Sequence, residues 1–205
     1  MSLFVKNKDI DVSRLRCILG WLAILLPWLV AIIYGSIPSS ISATYYTERT
    51  CPTFMIILGA CAILLIAYRG YEKVDDILNT VAGIFGLLIC LFPCDMGGTD
   101  VVGTFQLPEN ISGYVHNTSA VIFFGILAIN SMFLFTKHGE TMTEKKKKRN
   151  IVYRVCAVGM IASFLIFLFP HFYIQTWLVE TIALFFFGLS FMTKSNIYKF
   201  LFAEE

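Results

Sequence analysis

The sequence predicts an all-α polytopic membrane protein with six transmembrane helices and with both termini in the cytoplasm. Of the 205 residues, 57% are hydrophobic and only 15% are charged, whereas about a quarter of the residues in a soluble domain are charged. Six apolar stretches are each long enough to cross a bilayer, which takes roughly 20 residues. Fifteen of the sixteen Lys and Arg residues then lie on one side, with only Arg49 opposite, and basic loops are retained in the cytoplasm.

The apolar stretches place the six spans along the chain at about residues 17–35, 53–68, 77–93, 117–136, 151–170 and 172–193. Pro27 is a candidate kink in the first span. Asp75 and Asp76 precede the third span, where carboxylates favour a helix start. We expect a single helical bundle over residues 1–205, because six spans leave only short loops.

Two loops stand out. Residues 94–116 form the longest external loop, with four glycines, one proline and no Lys or Arg, and long loops often carry function. Residues 137–150 contain the basic run from Lys145 to Arg149. This run predicts a cytoplasmic loop beside anionic lipid headgroups rather than a nucleic-acid site.

Glu180 is the residue most costly to place in lipid. It lies about seven residues into the sixth span, roughly 10 Å deep at 1.5 Å per residue. A carboxylate at the centre of a span costs roughly 2.5–3.5 kcal/mol on insertion scales. We therefore expect Glu180 to face a polar pocket that opens outward, either as a functional group or as a structural hydrogen bond between helices.

His116 is expected at the outer start of the fourth span, from which its imidazole can reach toward Glu180. A His–Glu pair can shuttle protons or bind a metal. Asp95 follows the third span at the same level, and Ser40 lies in a hydroxyl-rich string that continues through Ser42, Tyr45 and Tyr46. Helix capping and interfacial tyrosines are the structural alternative for that string.

These residues give a candidate catalytic set of His116, Glu180, Asp95 and Ser40, and a candidate metal set of His116, Glu180, Asp95 and His171. A divalent metal such as zinc is the cofactor that the second set favours. Arg69, Lys73, Arg149 and Arg154 are candidate contacts for anionic headgroups of membrane lipids. Cys51 and Cys94, both at the outer level, are candidates for a disulfide.

Several strings are similar to a bacterial family of small six-span membrane proteins of unassigned function. They are SSISATYY at 39–46, AYRGY at 67–71, LFP at 91–93, His116 with Ser119-Ala120 and Phe123-Phe124, Arg149-Asn150 with Tyr153-Arg154, and Glu180 with Phe187-Gly188. The resemblance covers most of the chain and implies a bacterial inner-membrane location. The string around His116 also distantly resembles the Frag1/DRAM/Sfk1 group of lipid-associated membrane proteins.

The outer Ser, Asp and His residues are similar to those of alkaline ceramidase-like membrane hydrolases, which hold zinc with three histidines. This chain has only His116 and His171 at the outer level, so Glu180 or Asp95 would have to complete a metal site. Three functions follow as hypotheses. They are a lipid hydrolase in which His116 and Glu180 activate water, a carrier or receptor for a small solute, proton or lipid, and a scaffold or sensor without chemistry.

Overall fold

The computed structural model describes residues 8–70, 72–137, 143–166 and 176–195, and these contain six long helices. The helices are α1 Lys8–Tyr34, α2 Cys51–Ala67, α3 Lys73–Leu91, α4 Glu109–Ile129, α5 Glu144–Leu165 and α6 Thr176–Lys194. A short 3-10 helix spans Ser42–Tyr46, and α4 continues into a π-helical turn, Asn130–Leu134. The expectation of a helical chain is confirmed.

The fourth helix begins two turns earlier than the predicted residue 117. Its first turns hold Glu109, Ser112 and His116, whose polarity hides the helix from a search for apolar stretches. The Ser112 hydroxyl donates to Pro93 O at 2.8 Å and His116 Nδ1 lies 2.8 Å from Phe92 O, so these two side chains contact carbonyls of the residues that directly follow α3. The predicted external loop is correspondingly shorter than 94–116.

The fifth helix also begins earlier than predicted, at Glu144 rather than residue 151. The Thr143 side chain accepts a hydrogen bond from the Lys146 backbone N–H at 3.2 Å and so caps the helix. Lys and Arg are good helix formers. The basic run is therefore the first two turns of α5 and not a loop.

The six helices form a closed ring in which each packs against its neighbours in sequence and α1 packs against α6. The close approach of α1 and α6 depends on Gly20 and Gly188. A Cβ atom on Gly188 would lie 2.6 Å from Gly20 O. The centre of the ring is filled by large apolar side chains with almost no exposure, including Leu26, Phe123 and Phe187.

The outer surface of the ring is apolar, with large side chains such as Trp28, Ile32 and Ile56 exposed. A soluble monomer rarely exposes so much apolar surface. Four stretches within the described ranges are long and apolar enough to cross a membrane: Val12–Tyr34, Lys73–Leu91, Glu109–Leu134 and Thr176–Lys194. Cys51–Ala67 is apolar but shorter. These helices are compatible with an integral membrane protein.

The segment between α3 and α4 contains a two-stranded antiparallel hairpin, β1 Val101–Val102 and β2 Leu107–Pro108. Gly103 turns the chain with φ of +72°, a conformation that suits glycine. We call the end of the ring that carries this hairpin and the 3-10 helix the hairpin end. The opposite end, which carries Arg16, Lys146, Arg149 and Lys194, is the basic end.

Candidate functional site

A cavity of about 340 Å³ lies inside the ring toward the hairpin end. Most of its wall is apolar and aromatic: Leu26, Ile41, Phe54, Leu58, Ile89, Ala120, Val121, Phe123, Phe124, Phe164 and Leu184. Its polar lining consists of Ser42, His116, Asn117, Thr176 and Glu180. The structure thus brings His116 and Glu180 to one cavity.

His116 is held between two partners. Its Nδ1 lies 2.8 Å from Phe92 O, and its Nε2 lies 3.0 Å from the Ser42 hydroxyl oxygen. A carbonyl oxygen can only accept, so Nδ1 carries a proton. In the neutral imidazole Nε2 is then an acceptor, and Ser42 donates to it. The ring is 3% exposed, which means that its orientation is fixed by packing as well as by these bonds.

Glu180 lies in the second turn of α6, where it is half-buried in the cavity wall. Its Oε2 accepts a hydrogen bond from the Ile41 backbone N–H at 2.5 Å. The backbone amide and hydroxyl of Ser42 contact the same carboxyl. The acid is therefore accommodated by the start of the 3-10 helix, which lies between it and His116.

Ser42 connects the two ionisable groups. The single Ser42 hydroxyl can bridge the two groups in either protonation state, because a hydroxyl both donates and accepts. It accepts from a protonated Glu180 and donates to a neutral His116, or it donates to a Glu180 carboxylate and accepts from a His116 imidazolium. The same arrangement presents a hydroxyl whose proton can be taken by an oriented imidazole, which is the relation between a nucleophile and its base.

Ser40 and Asp95 occupy other positions. The Ser40 hydroxyl accepts from the Ala43 backbone N–H at 2.8 Å, a local contact beside the start of the 3-10 helix. Asp95 is exposed in a turn, where its Oδ1 accepts from the Gly97 N–H at 3.0 Å. Neither residue lines the cavity.

The candidate metal set is not assembled by the part of the chain that the structure describes, where no three His, Cys, Asp or Glu side chains lie close enough to hold an ion. His171 lies outside the described residues. Cys51 and Cys94 are both free thiols. Burial raises the pKa of Cys94 to about 12, and the nearby Glu180 acts in the same direction. This thiol is therefore protonated and unreactive at neutral pH.

The candidate headgroup contacts lie at the basic end but do not form one cluster. Lys73 and Arg154 are exposed, and Arg69 pairs with Asp76 at 3.7 Å while its side chain remains 74% exposed. Arg149 is only partly exposed and lies among other cations, including Lys146.

Two residues differ from the predicted site. The sequence places Ser42 in the same hydroxyl-rich string as Ser40, and only packing distinguishes hydroxyls two residues apart. Glu109 lies in the segment 94–116, which the sequence predicts to be a loop, whereas the structure places it at the start of α4. Its carboxylate accepts backbone N–H bonds of 2.8–3.1 Å from each residue of the segment 96–99. Gly97 and Gly98, which precede the start of a helix, are the sequence feature from which this contact could be predicted.

Comparison with curated proteins finds no match, and comparison with solved structures finds none either. A family model matches residues 18–193, which include all six helices in whole or in large part and every polar residue of the cavity. On this match the chain belongs to the family described as "Protein of unknown function (DUF998)".

Proposed function

We propose that this protein binds an amphipathic, lipid-like molecule in the cavity at the hairpin end and acts as its carrier or receptor. The observation that carries the proposal is the composition of the wall, which among the described residues is apolar and aromatic apart from Ser42, His116, Asn117, Thr176 and Glu180. Binding sites for small molecules are typically apolar, with a few placed polar groups that fix the ligand's orientation.

The lining also limits the ligand. A volume of about 340 Å³ is near the lower end of the range of roughly 300–1,000 Å³ for ligand pockets, so it suits one acyl chain or a small amphiphile. Within the described part of the chain no Lys or Arg lines the cavity, and Glu180 would repel an anion when ionised. The polar group of the ligand is therefore neutral or cationic, such as a hydroxyl, an amide or an amine.

Native mass spectrometry of the purified protein tests this proposal. We expect a bound lipid with a neutral or cationic polar group, and an Ala120→Phe variant, which fills the cavity, should lose it. Ala67→Phe is the matched control, because Ala67 is exposed on α2. Equal lipid content in the two variants and the wild type would argue for a non-binding scaffold instead.

A second function, hydrolysis of a lipid ester or amide, is favoured by the Ser42–His116 hydrogen bond of 3.0 Å. Ser42 Oγ would attack the carbonyl carbon and pass its proton to His116 Nε2. His116 would then protonate the leaving alcohol or amine, and water would release the acyl group from Ser42. Phe92 O, at 2.8 Å from Nδ1, keeps the imidazole in the tautomer that this step needs.

A fluorophosphonate probe separates the hydrolase from the carrier. Hydrolysis predicts covalent labelling at Ser42 that disappears in Ser42→Ala and His116→Ala and persists in Ser40→Ala. A wild-type protein that retains lipid but does not react with the probe supports the carrier or receptor alone.

We also propose that all six helices cross the bacterial inner membrane, with the basic end in the cytoplasm. The proposal is supported by the positions of Lys146, Lys147, Lys148 and Lys194 at one end and by four helices of sufficient length and hydropathy. A membrane-impermeant thiol reagent applied to cells should label Asp100→Cys and leave Lys147→Cys unlabelled. The reverse pattern would refute this orientation.

A further inference from the structure

One apolar residue of the cavity wall is also part of the outer surface of the ring. Val121 on α4 lines the cavity and is 60% exposed, whereas most of the other apolar lining residues are at most 9% exposed. Asn117, one turn nearer the hairpin end on the same helix, also lines the cavity and is exposed. The cavity therefore reaches the side of the ring along α4.

This opening lies on the side of α4 that faces α5. The other side of α4 packs on α3, where His116 Nδ1 lies 2.8 Å from Phe92 O. Phe124, three residues after Val121, meets Phe164 of α5, and their ring centres are 5.0 Å apart. Both rings line the cavity. The ring pair thus forms the inner edge of a gap between α4 and α5.

The two helices are tied together at the basic end and not beside the opening. At the basic end the Asn150 side-chain amide donates to Thr136 O at 3.1 Å. Farther along α5, a Cβ atom on Gly159 would lie 2.3 Å from the Phe186 ring, so α5 packs closely on α6. On α4, a Cβ atom on Gly125 would meet nothing within 4 Å in the described chain. This edge of α4 is therefore left uncovered.

The opening lies at the depth of acyl chains when α4 crosses the bilayer. Val121 lies twelve residues after Glu109, the first residue of α4, which is about 18 Å along the helix axis at 1.5 Å per residue. The polar layer of a bilayer is about 5–8 Å thick on each side. Val121 therefore faces hydrocarbon, and Asn117 lies closer to the headgroups.

On its hairpin side the cavity is covered by the start of the 3-10 helix. The Thr50 hydroxyl donates to Thr44 O of that helix at 2.7 Å, and the Tyr46 hydroxyl donates to Cys94 O at 2.5 Å. Entry of a ligand from this side would break such hydrogen bonds. Entry between α4 and α5 would displace only apolar contacts.

We propose, on the basis of the carrier or receptor function inferred above, that this gap is a lateral entrance to the cavity. The ligand reaches the cavity from the acyl-chain layer of the bilayer, so it is a membrane lipid and not a molecule delivered from water. Its chain passes Val121 and the ring pair of Phe124 and Phe164. Its polar group follows past Asn117, whose amide both donates and accepts hydrogen bonds.

Timed photo-crosslinking in phosphatidylcholine vesicles tests the entrance. The reconstituted full chain receives a monoacylglycerol with a diazirine in its acyl chain, and light is applied at successive times. Crosslinks at Ile56, which is exposed on the outer surface, time the arrival of the probe in the bilayer. Crosslinks at Leu58, which lines the cavity, time its entry.

We expect Val121→Trp, which narrows the entrance, to slow crosslinking at Leu58 about tenfold with a similar final yield. Ile129→Trp enlarges another exposed side chain of α4 and should match the wild type. Phe164→Ala removes one ring of the pair and should speed entry, so the test does not depend on the folding of one variant.

Wild-type rates in both Val121→Trp and Phe164→Ala would overturn the entrance and leave binding in the cavity intact. Faster entry in Tyr46→Phe, with no change in Phe164→Ala, would also overturn it, because the ligand would then enter from the hairpin end. A wild type that crosslinks at Ile56 and never at Leu58 would contradict the proposed function itself, and the entrance with it.

Discussion

Glu109 illustrates how a single side chain can organise a loop. Its carboxylate accepts backbone N–H bonds from Met96, Gly97, Gly98 and Thr99. Bonds to an ionised acceptor are roughly twice as strong as neutral ones. The loop that closes the hairpin end is therefore ordered around one acid at the first position of α4.

The variant Glu109→Gln should loosen this loop, because a neutral amide has one acceptor oxygen instead of two charged ones. We expect the amides of residues 96–99 to exchange hydrogen at least about tenfold faster, with a melting temperature several degrees lower. Hydrogen exchange followed by mass spectrometry measures the exchange rates of the loop amides and, for comparison, those of the helix amides. Asp95→Asn, which removes one negative charge but keeps an acceptor oxygen for its single exposed contact to Gly97, is the control, and equal effects of the two variants would contradict the role of Glu109.

The candidate site was partly predictable at this scale. The cost of burying a charge singles out Glu180, and His116 is the one histidine of the fourth span. Both residues line the cavity. Ser40 and Ser42 have the same chemistry, and only the path of the 3-10 helix determines which one reaches His116. Asp95 follows the third span at the predicted level of the site, but its carboxylate accepts a hydrogen bond from Gly97 within a local turn instead.

Helices pack most closely where glycine allows backbone contact. A Cβ atom at Gly188 would lie 2.6 Å from Gly20 O and 2.6 Å from Ile24 Cγ1, whereas one at Gly125 would meet nothing within 4 Å. Gly188→Ala should therefore separate α1 from α6 and cost about 1–3 kcal/mol.

Gly125→Ala is the matched control on α4. It should leave stability unchanged or raise it by up to about 1 kcal/mol, because Ala favours the helix. Thermal unfolding in one detergent compares the two variants. Similar stabilities would contradict the close approach of α1 and α6.

The basic end predicts an unusual pH dependence. The pKa of Lys146 is lowered to about 8 by burial and by Arg149, below the value of about 10.4 in an unfolded chain. Between these values the unfolded state binds more protons, so stability should rise as pH increases from about 8 to about 10.4. Arg16, Lys194 and Asp75 share this environment.

The measurement is the melting temperature of delipidated protein across this pH range. Lys146→Met should flatten the rise, since it removes the titrating group and retains an apolar stem of similar length. Lys148→Met, at an exposed position, should not flatten it. A wild-type curve that is level or falls would contradict the burial of a charged Lys146.

At the scale of the whole molecule, composition and charge distribution predict the helical class and the approximate order of the elements. Helix boundaries were wrong wherever polar residues form the first turns of a helix, as at Glu109 and Glu144. A hydropathy pattern detects the membrane interior and not the helix, so it ends where apolar residues end. The closure of the ring through α1 and α6 depends on long-range packing that no local pattern records.

In the proposed function, the chain of an amphiphile lies in the cavity against aromatic side chains, with its polar end at Ser42, His116 and Glu180. The scaffold hypothesis differs from it in one respect, because a scaffold places lipid only on the outer surface of the ring. The two are therefore distinguished by where a lipid chain touches the protein.

The most direct measurement is photo-crosslinking with a monoacylglycerol that carries a diazirine in its acyl chain, followed by peptide mapping. The account predicts crosslinks at the cavity residues Phe54, Leu58 and Phe124 and their loss in Ala120→Phe. Crosslinks confined to outward side chains such as Ile56 and Ile63, and unchanged in Ala120→Phe, would contradict it.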